Sequence, residues 1–152
     1  MYGFDWSKDG IKETKERLKS KMLKAHLTAH SMFNPLSYDN DYFDVVIAVR
    51  SLYHGRLAQL KKVIKEVARI TKSGGILFWH GATYGDYDNI IKSGQKLKKL
   101  ESNTYIGTIG QYKGVIKHYF SKTEAISFLK PYYKVKKIRI DPTTFSIIAQ
   151  KK

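Results

Sequence analysis

A carboxylate at the end of a short apolar strand is the first group in this chain that has the setting for chemistry. Asp5 ends the predicted strand 2–5 and is followed by Trp6, Ser7 and a charged helical pattern. An acidic side chain between a strand and a helix is typical of units that hold the two hydroxyl groups of a ribose. We therefore expect Asp5 to accept hydrogen bonds from a ribose. For Trp6 two alternatives stay open, stacking on the attached base or packing as a half-buried core aromatic.

Two histidines and a tyrosine are the candidate catalytic residues, namely His54, His118 and Tyr84. Imidazole titrates near neutral pH, so either histidine is suited to take a proton from a reacting group. The alternative that each is an ordinary packed polar residue stays open at this point. His26 and His30 are four residues apart on a predicted strand, where that spacing does not make a metal pair, and no metal site is predicted.

The elements that would position these residues alternate between strands and helices. Phe43–Val49 is a continuous apolar run, which predicts a strand that is buried on both faces in a parallel sheet. Gly74 and Gly75 are expected to end the helix that follows it. The other predicted elements of the first half are strands over 25–31 and 76–79 and a helix over 8–21. The order predicts a Rossmann-like three-layer α/β fold with a mostly parallel sheet.

The second half of the chain begins with a segment that lacks periodicity and continues with clear helix and strand patterns. Residues 81–115 lack a clear period, apart from a helix predicted over 88–100. A capping box, Ser121–Glu124, predicts a helix that stops before Pro131. Two strands over 133–140 and 144–149 predict a C-terminal antiparallel hairpin. Residues 1–152 are expected to form a single domain, with 81–120 as a variable segment on the substrate side.

Charge and composition limit the classes of partner that we expect. The chain has 152 residues, 28 Lys and Arg against 13 Asp and Glu, a net charge of +15 and no cysteine. Such a charge favours anionic partners, although a lysine-rich solvated face explains it as well. Residues 111–152 form the most basic region. The absence of cysteine, of a signal peptide and of a membrane-spanning run predicts a cytoplasmic protein without membrane contact.

Several motifs, taken together, resemble those of the class I S-adenosylmethionine-dependent methyltransferases. The resemblance starts at the second strand of that fold and covers nearly the whole chain. Residues 39–47 resemble the family pattern "pDnsFDvVi", and residues 66–75 resemble "EiaRvLKPGG". The strand and acid over 3–7 and the Leu-Tyr-His of 52–54 also match the family. A softer match is that of residues 103–121, which are similar to a substrate-side insertion of small-molecule members.

The resemblance implies S-adenosylmethionine as the cofactor and a small molecule as the methyl acceptor. Asp5 would hold the ribose, and the turn from Arg50 would meet the methyl-donor end of the cofactor. Ser31, Met32 and Phe33 stand where the family contacts adenine. The two histidines and the tyrosine named above would serve the acceptor side.

Two features of the sequence depart from the family pattern. Its first strand and glycine-rich loop have no counterpart here, so we expect an N-terminally truncated version of the fold. The acid that often follows the third strand is also absent. The family's first strand lies in the middle of the sheet, and its removal leaves a gap. We expect either direct closure of 2–5 onto Phe43–Val49, or exchange of residues 1–30 between protomers in a homo-oligomer. Insertion of another chain is a third solution.

Two further hypotheses follow from these departures. The chain is alternatively a catalytically impaired or truncated methyltransferase-fold protein that binds nucleic acid or a partner protein through its basic surface. The second is a split enzyme, whose first strand and helix come from a separate polypeptide.

Overall fold

The computed structural model describes all residues, Met1–Lys152, and divides into two compact units, Met1–Ser37 and Tyr38–Lys152. The strands and helices, numbered in chain order, are β1 Tyr2–Asp5, α1 Lys8–Ser20, β2 His26–Ala29, β3 Phe43–Val49, α2 Leu57–Ile70, β4 Thr71–Ala82, α3 Tyr84–Lys92, β5 Leu97–Glu101, β6 Thr104–Gly107, β7 Ile116–His118, α4 Lys122–Leu129, β8 Tyr133–Ile140 and β9 Thr144–Lys151. A single-domain organisation of residues 1–152 stays a prediction.

The unit Met1–Ser37 is a strand–helix–strand element. β1 and β2 pair in parallel, with Asp5 opposite Ala29. The predicted helix cap is confirmed, because the Ser7 hydroxyl oxygen accepts a hydrogen bond from the Gly10 amide at 3.0 Å. α1 ends at Ser20, one residue before the predicted end. The crossover from β1 through α1 to β2 is the kind of connection that the alternating pattern predicts.

The unit Tyr38–Lys152 contains a four-stranded sheet in the order β3-β4-β9-β8. β3 and β4 are parallel, whereas β9 is antiparallel to both of its neighbours. The predicted C-terminal hairpin is therefore confirmed. On one face of this sheet Leu77, Trp79 and Ile147 are completely buried. α2 contacts β4, and α4 contacts β8.

The prediction that β3 is buried on both faces is wrong. Val45, Ile47 and Val49 are 52%, 67% and 53% exposed. β3 is the edge strand of its sheet, and the face that carries these three side chains is open to solvent. The apolar run therefore predicts a burial that these three side chains do not have in the structure.

The glycines that were expected to end α2 lie inside a strand instead. α2 ends at Ile70, and β4 begins directly at Thr71. The Thr71 hydroxyl donates to the Val67 carbonyl at 2.7 Å, which closes the last turn of the helix without a glycine. Gly74, at a φ of +75°, lies where the β3–β4 register is irregular, and this conformation favours glycine.

The helix predicted over 88–100 is misplaced. α3 begins earlier, at Tyr84, and ends at Lys92, after which Gly94 adopts a φ of +81° typical of a residue that follows a helix. The lysine run that follows belongs to β5, in an antiparallel sheet of order β5-β6-β7. The capping box is confirmed, because the Glu124 amide donates to the Ser121 hydroxyl oxygen at 3.1 Å.

The expected closure of the first strand onto Phe43–Val49 is also wrong. β1 pairs with β2 alone, and β3 pairs with β4 alone. Strand exchange and insertion of another chain stay predictions. None of the helices combines the length and the apolar character that crossing a bilayer requires.

Candidate active site

Polar and aromatic side chains gather at the carboxyl ends of β3 and β4. Because the two strands are parallel, their carboxyl ends lie at the same edge of the sheet, where ligands bind in α/β folds. β3 continues into Arg50, which has a φ of +50° and whose amide donates to the His80 carbonyl at 3.0 Å. The Ser51 carbonyl then accepts from the amides of Tyr53 and His54, at 2.7 and 3.0 Å. This tight turn fixes both rings at the end of β3.

The centre of this group is a buried ion pair that the sequence did not reveal. Lys117 Nζ lies 3.0 Å from Asp86 Oδ2, and the two side chains are only 5% and 18% exposed. The same ammonium group lies 4.6 Å from the ring centre of Tyr112 and 5.9 Å from that of Tyr53. One carboxylate and two ring faces therefore compensate the charge that burial takes out of water.

His54 lies beside this pair and is half-buried. Its ring centre is 4.4 Å from that of Tyr53. Burial lowers the pKa of His54, the nearby Lys117 ammonium lowers it further, and a hydrogen bond to the Ile116 carbonyl acts in the opposite direction. The net result is an imidazole that is neutral at pH 7. One ring nitrogen of His54 donates to the Ile116 carbonyl, and the other ring nitrogen is the one that would accept a proton.

Four tyrosines pack together next to the ion pair, namely Tyr84, Tyr87, Tyr105 and Tyr119. Their ring centres lie between 4.6 and 6.2 Å apart. Tyr119 is completely buried, and its hydroxyl group has no hydrogen-bond partner. Burial strongly raises the pKa of Tyr119, so the hydroxyl keeps its proton. A buried donor without a partner is costly, and a polar atom of a ligand would satisfy it.

His118 and Tyr84 belong to one hydrogen-bonded network. The completely buried His118 has Nδ1 2.7 Å from Thr104 Oγ1 and Nε2 3.2 Å from Glu124 Oε1, the latter without hydrogen-bond alignment. Asn103 Nδ2 donates to the other oxygen of Glu124 at 2.9 Å, and Tyr84 donates to Asn103 Oδ1. Burial lowers the pKa of His118, and Glu124 opposes that shift. A catalytic role for either residue stays a prediction.

The two buried imidazoles make the stability of the fold depend on pH. Because the pKa of His54 and that of His118 are both lowered in the fold, the unfolded chain binds more protons below its own histidine pKa of about 6.5. The free energy of unfolding is therefore expected to be highest above that pH, to fall as the pH drops from about 6.5 towards the lower folded-state values, and to level off below them. Urea denaturation at about pH 7.5 and 5.5 measures the difference.

A matched pair of variants assigns this pH effect. His54→Gln is expected to reduce the loss of stability on acidification, because one of the two lowered pKa values disappears. His26→Gln changes an exposed imidazole and should leave the loss as it is. A free energy of unfolding that stays constant between these two pH values would contradict the prediction.

The predicted ribose residue lies at the carboxyl end of β1 in the unit Met1–Ser37. Asp5 Oδ1 accepts from the Ser7 amide at 2.8 Å, which orients the carboxylate. The His30 amide donates to the Asp5 carbonyl at 2.9 Å, and the buried Nε2 of His30 has no hydrogen-bond partner. Trp6 is 81% exposed and is not packed into a core. A carboxylate with an accessible oxygen, an unsatisfied imidazole and an open indole ring fit a ligand with hydroxyl groups and an aromatic base.

The predicted adenine residues follow β2 in the same unit. Ser31 Oγ accepts from the Phe33 amide at 3.3 Å, so the serine side chain stabilises its own turn. Met32 is half-buried, and Phe33 is 47% exposed. Since β1 and β2 run in parallel, these residues and Asp5 lie at the same end of the strand pair. Arg50 belongs to the other unit, together with the three predicted catalytic residues.

The comparisons with known proteins identify the fold. The sequence profile of the family described as "Methyltransferase domain" matches residues 1–75. A solved protein from Pyrococcus horikoshii OT3 superposes with a TM-score of 0.79 at 22% identity, covering 100% of this chain and 71% of that one. A SAM-dependent methyltransferase from Methanosarcina mazei gives 0.76 at 19% identity, covering 99% and 81%. The chain therefore has the fold of the class I methyltransferases.

A third structure with this methyltransferase fold was solved with ligands. It is the 1,6-didemethyltoxoflavin-N1-methyltransferase of Burkholderia thailandensis, with bound 1,6-didemethyltoxoflavin and S-adenosylhomocysteine. Its TM-score is 0.73 at 9% identity, covering 99% of this chain and 60% of that one. No curated protein matches the sequence. The predicted Rossmann-like fold is confirmed, and the comparisons do not favour the nucleic-acid-binding alternative.

Proposed function

We propose that the chain is an S-adenosylmethionine-dependent methyltransferase that acts on a small molecule. The observation that carries the proposal is the half-buried His54 beside the buried Lys117–Asp86 pair, at the carboxyl ends of two parallel strands, where burial lowers the pKa of the imidazole. The SAM-dependent methyltransferase of Methanosarcina mazei supports it by fold. The small-molecule substrate and the S-adenosylhomocysteine in the Burkholderia thailandensis enzyme support the classes of acceptor and cofactor.

The residues proposed to hold the cofactor in Met1–Ser37 are Asp5 for the ribose and Trp6 with residues 31–33 for adenine. The accessible carboxylate and the unsatisfied His30 nitrogen are the features that fit. Arg50, exposed at the end of β3, is proposed to bind a carboxylate. When bound, S-adenosylmethionine supplies a methyl group that is activated by its sulfonium.

The residues at the carboxyl ends of β3 and β4 are proposed to prepare the acceptor. Methyl transfer is an in-line displacement, so its rate depends chiefly on holding the acceptor in position. A base is required only for an acceptor that must lose a proton, and His54 is the residue proposed to accept that proton. The protonated hydroxyl of Tyr119 is a donor for a polar atom of the acceptor. We therefore favour acceptors with an N–H or O–H group.

Cofactor binding tests the proposal directly. Isothermal titration calorimetry with S-adenosylhomocysteine is expected to show binding to the full chain. Asp5→Asn should weaken that binding about tenfold or more, because hydrogen bonds to a charged acceptor contribute roughly 1.5–3 kcal/mol. Asp9→Asn removes an acid in the first turn of α1 and should leave the affinity unchanged. No heat at millimolar ligand would contradict the proposed binding of the cofactor. Equal effects of the two variants would rule out the proposed role of Asp5.

A further inference from the structure

One face of the four-stranded sheet carries exposed aliphatic side chains. Val45, Ile47 and Val49 on β3 are each more than half exposed, and Ile148 on β9 is 37% exposed. Isolated exposed apolar residues are normal on a protein surface, whereas a contiguous group marks an interaction site. The register of the strands decides which case applies here.

The register makes these side chains contiguous. Ile47 lies opposite Phe78, and Phe78 lies opposite Ile148, so one apolar row crosses three strands. Val45 lies opposite Ile76 in the next row. Side chains that are opposite each other in paired strands point to the same face. We name this surface the open face, and its members are Val45, Ile47, Val49, Ile76, Phe78 and Ile148.

Basic side chains border the open face along β8. Lys137 lies opposite Ile148, and Lys134 lies opposite Gln150, so both lysines stand on the same face of the sheet. The irregularity between Val135 and Lys137 is what brings Lys137 to this face. Both lysines are exposed and take part in no ion pair. We name Lys134 and Lys137 the basic rim.

We propose that the open face is the docking site of an amphipathic α-helix from a partner polypeptide, with an aliphatic stripe on the open face and Asp or Glu along the flank that meets the basic rim. A helix that packs on a sheet buries one apolar stripe, and the rows of the open face offer the matching surface. Because the basic rim lies along one border of the open face, acidic residues on the facing flank of the helix would complement its charge.

The arrangement favours a helix over a lipid surface as the occupant. The aliphatic side chains stand on a pleated strand surface, next to the exposed edge of β3, and do not project from a loop or from a helix. The two rim lysines lie along one strand on a single side, which matches one flank of a helix. Binding to an anionic membrane is therefore an outcome of the test that would count against the proposal.

Designed helices test the proposal with the full chain. The probes are about 20-residue stapled peptides with leucines on one stripe, in several registers, and glutamates along one flank. Control peptides carry lysines in place of the glutamates. Fluorescence anisotropy of the labelled peptides measures affinity. Ile47→Ser should weaken the acidic peptide about tenfold, because an aliphatic contact is lost, whereas Ile91→Ser on α3 should not.

A charge exchange tests the basic rim. Lys137→Glu should weaken the acidic peptide about two- to fivefold and strengthen the lysine peptide by a similar factor. Lys61→Glu makes the same charge change at an exposed position of α2 and should alter neither affinity beyond a general charge effect. The proposal is overturned if no peptide of the panel binds at millimolar concentration, or if Ile47→Ser is without effect. Equal binding of both peptide types, or binding only to phosphatidylserine vesicles, overturns it as well.

Discussion

Asp86→Asn is expected to lower the free energy of unfolding by about 3–5 kcal/mol. The substitution leaves the Lys117 ammonium group, which is 5% exposed, without its carboxylate. The ring of Tyr112 at 4.6 Å compensates only part of that charge. Urea denaturation of the original chain and of the variant at pH 7 measures the difference, with the same m-value used for both proteins.

The two partners of this pair are not expected to be equivalent. Lys117→Met should be the milder change, because the Asp86 carboxylate is 18% exposed and takes up water. The double variant should be less destabilised than the sum of the single ones, which is the signature of a direct interaction. Asp88→Asn, at an exposed position of the same helix, is the matched control. If Asp86→Asn has no larger effect than this control, the ion pair does not stabilise the site.

Trp79→Ala is expected to cost about 3–5 kcal/mol of unfolding free energy. The indole ring is completely buried on β4, with ring centres of Phe120, Phe128 and Phe145 at 4.9, 5.4 and 4.7 Å. Truncation opens a cavity that three rings from different elements are unable to fill together. The midpoint of urea denaturation reports the loss.

A conservative replacement of Trp79 separates the effect of lost side-chain volume from the effect of the buried indole N–H. Trp79→Phe should cost clearly less than Trp79→Ala, since the indole N–H is buried without a hydrogen-bond partner and its removal relieves that penalty. Trp6→Ala, at a position 81% exposed, should stay within about 0.5 kcal/mol of the original chain. A similar loss for Trp79→Phe and Trp79→Ala would mean that the cavity is not the main cause of the destabilisation.

Local patterns in the sequence were sufficient for much of the fold. The strand Tyr2–Asp5 and the caps at Ser7 and Ser121 depend on interactions within a few residues, and all were predicted correctly. The hairpin of β8 and β9 follows from alternation and a turn dipeptide. The alternating order of strands and helices predicted the fold class, and the resemblance to the methyltransferase family named the fold.

Features that depend on distant partners were not predictable in this way. Asp86 and Lys117 are 31 positions apart, and nothing in the local pattern of either residue signals an ion pair. The apolar run Phe43–Val49 predicts burial, but a sequence pattern does not say which element provides the cover. Gly74 and Gly75 satisfy the rule for a helix end, yet they lie within β4, where its register with β3 is irregular. In each case the deciding contact comes from another part of the chain.

The contrast between the two indoles has a spectroscopic consequence. Trp6 lies in the unit Met1–Ser37 and is exposed to water. Trp79 lies in the unit Tyr38–Lys152 and is completely buried against phenyl rings. Iodide should quench the emission of the first and spare that of the second, whose maximum should be blue-shifted. Trp6→Phe and Trp79→Phe therefore turn the protein into a pair of single-fluorophore reporters, one for each unit.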